Sequence, residues 1–76
     1  MSPWHWYWKH ADDEAYGEEC STREAIIAAA EREVRPGDTF EIIEAVMSQA
    51  RKHEGSDFIP FLRSRNHETI TVADPS

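Results

Sequence analysis

Trp4, Trp6 and Trp8 stand at alternate positions in the stretch WHWYWKHADDE, residues 4–14, and three indoles at a period of two leave few folds open. In a β-strand successive side chains point to opposite faces, so one face would carry the tryptophans and the other His5, Tyr7 and Lys9. The pattern predicts a strand over about residues 4–9. Each buried indole covers about 150–250 Å². A chain of 76 residues hides only about 60% of the surface that its unfolded form exposes. Its Ile, Leu, Val and Phe content is thin, so the tryptophan row is expected to be core. The opposite row, His5, Tyr7 and Lys9, is then expected to face solvent and to be open to a partner.

Such a strand needs an element to cover it, and the clearest local signal lies in CSTREAIIAAAEREVRPGD. Ser21 followed three residues later by Glu24 has the form of a capping box, and it opens a run of strong helix formers. On a helical wheel Ile26, Ile27, Ala30 and Val34 gather on one face, with Ala25 and Ala29 as a small-residue flank that permits close approach to a sheet. Pro36 disfavours helical geometry at Arg35 and Gly37 supplies a turn, so the helix is expected over about residues 22–35. Between strand and helix, residues 11–19 (ADDEAYGEE) combine a glycine with Asp12, Asp13, Glu14, Glu18 and Glu19 and have no apolar period. They read as a hydrated loop.

TFEIIEAVM, residues 39–47, fits two patterns. Asp38 and Glu41 could cap a second helix, but the β-branched and aromatic residues favour a strand. A lone amino-terminal strand could not satisfy its backbone groups, which tips the reading to a strand over about 39–45. MSQARKHEG then reads as a short helical turn or loop ending near Gly55. DFIPFL, residues 57–62, is either an extended segment over the core or the first turn of a short helix, since Pro60 excludes the centre of a sheet. TITV offers an edge strand. The expected fold class is α+β, with a two- to three-stranded sheet (about 4–9, 39–45 and 69–73) packed by one main helix. Residues 1–76 form one small domain, with residues 74–76 frayed.

Net charge is −7, and it is uneven. Residues 11–45 hold eleven acids against Arg23, Arg32 and Arg35, or −8, whereas Arg51, Lys52, Arg63 and Arg65 oppose Glu54 and Asp57 to give +2 over residues 51–67. An acidic body of this kind argues against direct nucleic-acid binding. The lone Cys20 excludes an internal disulfide and fits a reducing compartment. MSPWHW lacks the basic and apolar regions of a leader, and the longest apolar run, residues 25–30, is too short to span a bilayer. The expectation is a cytoplasmic protein without a membrane segment.

His10, Asp12, Asp13 and Glu14 are candidate metal ligands, but their consecutive acids lack the alternating frame of a calcium loop, and a solvated charge run is the favoured reading. His53, Glu54, His67 and Glu68 raise acid and base chemistry, since histidine titrates near neutrality, yet neither a nucleophile elbow nor a phosphate-cradling loop accompanies them. No catalytic residue is therefore assigned, and no cofactor is expected. Arg63 and Arg65 could grip an anion or an acidic partner through their guanidinium forks, although neutralising the acidic body is the favoured role.

WYWKHADDE, STREAIIAAAEREV, TFEIIEA and KHEGSDFIPFLRSRNHE together resemble small uncharacterised proteins of alphaproteobacteria and their phages or prophages. The likeness covers most of the chain and carries no catalytic residues with it. It implies a strand at EIIEA and an accessory role in a phage or host setting. With the charge pattern, it makes a noncatalytic protein that offers an acidic surface to a macromolecular partner the leading expectation. One version mimics nucleic-acid charge. The alternatives are a metal-dependent or acid/base enzyme using the His, Asp and Glu groups, and a small-ligand module using tryptophan faces. A short sheet with open edges also admits a homodimer.

Overall fold

The structure, a computed structural model, describes residues 2–47 and 61–74. Five elements follow in chain order: β1 (His5–His10), β2 (Gly17–Cys20), α1 (Arg23–Glu33), β3 (Thr39–Met47) and β4 (Phe61–Thr71). The strands form one sheet in the order β2-β1-β3-β4, and each neighbouring pair is antiparallel. Because β1 lies between β2 and β3, those two run parallel, and α1 links them by crossing over β1. The α+β class holds, but the described sheet has four strands, not two or three. The expected helical turn or loop of residues 48–55, the first part of DFIPFL, His53, Glu54 and the last two residues of the expected frayed end lie outside the described residues.

The tryptophan period builds one face of β1 as expected. Trp6 and Trp8 pack with Phe40 and Ile42 of β3 beneath Ile26, Ala30 and Val34, while Cys20, Ile27, Ile70 and Val72 close the margin. Ala29 is buried and lets the helix approach the sheet, whereas Ala25 is exposed. Trp4 is only half-buried and lies under the Arg65 guanidinium, 3.8 Å from the ring centre. The row is therefore divided: two indoles form core and the third carries a cation.

The helix begins one residue later than the capping-box pattern suggests and ends at Glu33. Thr22 is the N-cap, with extended backbone, and its hydroxyl accepts from the Ala25 N–H at 3.1 Å. Ser21 and Glu24 thus do not form the box. Thr22→Ala is expected to cost about 1 kcal/mol and Ser21→Ala only a few tenths, as read from urea midpoints; equal losses would assign the cap wrongly.

At the other end, the Val34 N–H donates to the Ala30 carbonyl and the chain turns through Arg35–Asp38, closed by the Asp38 N–H on the Arg35 carbonyl at 3.0 Å. Pro36 and Gly37 occupy the two central positions, and Gly37 has φ +88°, the pairing that a type II turn requires. The turn is tied to β4's end, since the Gly37 N–H donates to Val72 and the Val72 N–H to Asp38. A methyl group on Gly37 would meet no atom within 4 Å, so the penalty for Gly37→Ala is conformational alone. It should be about 1–2 kcal/mol, a fall in Tm of roughly 4–8 °C per kcal/mol. An unchanged Tm would show that the turn relaxes.

Three bulges shape the outer strands, one between β1 and β2 and two between β3 and β4. In the last of them Val46 pairs with Arg63 and Met47 with Phe61, so that Leu62 is extra. Trp6 pairs with Cys20 and Trp8 with Gly17, so Glu18 and Glu19 together oppose Tyr7, with Glu18 left-handed at φ 53°. Ile42 pairs with Glu68 and Glu44 with Arg65, so Asn66 and His67 together oppose Ile43, and Asn66 also has φ 53°. Each bulge inserts one residue and re-aims the side chains after it. The stretch expected as a loop at 11–19 thus holds β2, and the edge strand expected at 69–73 is the end of a strand that starts at Phe61.

Candidate functional site

The opposite face of β1 departs from the sequence expectation. Tyr7 is 6% exposed and so does not meet solvent. Its ring packs against Phe61, centroids 5.0 Å apart, and Phe61 in turn packs on Tyr16 at 5.5 Å. The Tyr7 hydroxyl donates to Glu19 at 2.7 Å, and the other Glu19 oxygen lies 2.9 Å from His5 Nδ1. Burial, and then the Glu19 carboxylate, push the Tyr7 phenol far above its ordinary value, while the hydroxyl and imidazole hold Glu19 below the usual carboxylate range. Tyr7, Tyr16, Glu19, Met47 and Phe61 border a recess of about 280 Å³ on this face.

Lys9 is equally engaged. Its ammonium lies 2.8 Å from Glu41, donates to the Asp13 carbonyl at 2.8 Å and sits 5.8 Å from the centre of the Tyr16 ring. His67 Nε2 meets the other Glu41 oxygen at 2.6 Å. Lys9 first, and His67 after it, depress the Glu41 carboxyl. Of the row His5, Tyr7 and Lys9, only His5 has a substantially open side chain, at 38%.

Topology collects the acids at one end of the sheet. β1 ends there and β3 begins there, joined by the Ala11 N–H on the Thr39 carbonyl at 3.2 Å. The β1–β2 connection brings Asp12, Asp13 and Glu14, the start of β2 brings Glu18, the last turn of α1 brings Glu33, and the following turn brings Asp38. All six are exposed and form no salt bridge with a described residue. Lys9 is already spent on Glu41, and the other cations here are Arg32 in the last turn of α1 and Arg35 in the following turn. The carboxyl end of α1 adds its own partial negative charge, and Glu33 sits where a basic residue would stabilise the helix.

Two recesses open at this end. Asp13, Glu18 and Glu33 line one of about 340 Å³ together with Trp8 and His10; Asp12 and Asp38 line another of about 210 Å³, again with His10. His10, Asp12, Asp13 and Glu14 are therefore neighbours, but they are split between two recesses, with Glu14 lining neither. No group of three or more His, Cys, Asp or Glu among the described residues could hold a metal ion.

Arg65 stacks on Trp4 and bonds Glu44 at 2.7 Å, with the Asn66 amide donating to the same oxygen at 2.9 Å. These partners hold Glu44 below its ordinary value. Glu68 is likewise lowered by a two-pronged bond from Arg23 across the helix-side face. Arg63 is exposed. Tyr16, Glu19 and Glu41 are the site residues that sequence reasoning missed. The one clue to them was the period of β1, which puts Tyr7 and Lys9 on a common face in need of partners.

Comparison with known proteins returned no matching family model, no matching curated protein and no matching solved structure. No described helix is long and apolar enough to cross a membrane.

Proposed function

We propose that this chain is a noncatalytic accessory protein that offers its acidic end to a basic macromolecular partner, in the cytoplasm and in a phage or host setting. The observation that carries the reading is the convergence of Asp12, Asp13, Glu14, Glu18, Glu33 and Asp38, all exposed and without a salt bridge among the described residues. Like charges held together destabilise a fold unless something offsets them, and Glu33 at the carboxyl end of α1 compounds the cost. A surface that carries such a cost in a small domain is supported by use elsewhere, and a cationic partner is its natural complement.

Trp6 and Trp8 lie in the core and Trp4 supports Arg65, which weighs against the small-ligand alternative. Bulged, charged outer strands weigh against pairing of two copies edge to edge. The partner envisaged is a nucleic-acid-handling protein whose basic groove would accept an array of carboxylates.

The test is a pull-down with the wild-type chain and with a variant carrying Asp12→Asn, Asp13→Asn, Glu33→Gln and Asp38→Asn. Wild type should retain a basic protein that duplex DNA displaces and that added salt releases. The variant should bind at least about tenfold more weakly, ~1.4 kcal/mol. Glu33→Lys should do the same while stabilising the fold by about 0.3–1 kcal/mol. Capture that resists salt and ignores these substitutions would reject the proposal.

A further inference from the structure

We draw no further inference here: the strongest candidate, the recess at the acidic end between Trp8, His10, Asp13, Glu18 and Glu33, belongs to the surface already described, and the Trp8 indole N–H, without an acceptor among the described residues, is itself buried and marks no ligand in that space.

Discussion

Phe40→Ala should remove about 3–5 kcal/mol of the fold's stability, a large share of what a domain this small has. Phe40 is fully buried in β3, between His10 of β1 and Ile70 of β4 in the sheet, with its ring edge-on to Trp8 at 6.4 Å. Truncating a buried phenylalanine costs about 3–5 kcal/mol, from lost transfer energy and from the cavity left behind. A domain of 76 residues has about 4–11 kcal/mol of stability in total. The core cluster is small, with Trp6, Trp8, Ile26, Ala30, Val34 and Ile42 as the other buried members, so the loss of one large ring removes much of it. Urea titration followed by tryptophan emission gives the loss directly. Trp4→Ala is the useful contrast, because Trp4 is half-buried and outside the core cluster, and it should cost clearly less. A loss under about 1.5 kcal/mol for Phe40→Ala, or an equal loss for Trp4→Ala, would contradict the packing described.

The elements that were legible in the sequence are those whose own side chains supply the burial. The alternation of Trp6 and Trp8 announces β1, the Ile26, Ala30 and Val34 face announces α1, and Pro36-Gly37 announces the turn. β3 was legible by a physical requirement, since a lone β1 could not satisfy its backbone. β2 was not, because Gly17, Glu18, Glu19 and Cys20 have neither an apolar period nor β-branched residues. What makes them a strand is β1 alongside, together with a bulge that swings Glu19 onto Tyr7 and His5.

The charged half of β4 was hidden for a related reason. RSRNHE reads as polar surface, yet its charges are used on both faces: Arg65 and Glu68 answer Glu44 and Arg23 on the helix side, and His67 answers Glu41 on the other. The burial of Tyr7 depends on Phe61, which is far away in sequence and was not read as part of a strand. The acid-rich character of the candidate surface was visible in composition. Its convergence at one end was not, since that depends on the antiparallel order of β1 and β3.

The second large effect concerns Glu41. Its two oxygens serve Lys9 and His67, and the side chains of Lys9 and Glu41 are only 13% and 19% exposed, which shields this pair from solvent more than any other ion pair among the described residues. Glu41→Gln keeps the shape and removes the charge, leaving a half-buried ammonium with neutral acceptors only, the backbone carbonyls and an amide oxygen. A hydrogen bond to a charged group of this kind contributes about 1.5–3 kcal/mol, and partial exposure trims that to about 1–2 kcal/mol at neutral pH. Glu44→Gln should cost less, because its Arg65 partner is 51% exposed.

The pH dependence separates this pair from a general loss of packing. The folded protein holds Glu41 below its ordinary carboxylate value, so the unfolded chain binds the proton more tightly. The pair's contribution is therefore complete above the ordinary carboxylate range and is lost as pH falls through the depressed folded value. Glu19, Glu44 and Glu68 are depressed as well, and they add to the acid sensitivity of the wild-type chain. Glu41→Gln should thus lie furthest below wild type near neutral pH and converge with it only in acid, below the ordinary carboxylate range, as the wild-type carboxyl is protonated too. Urea midpoints across that interval read the difference. A gap that stays constant with pH would mean that Glu41 acts through shape, and that its charge does not hold Lys9 in place.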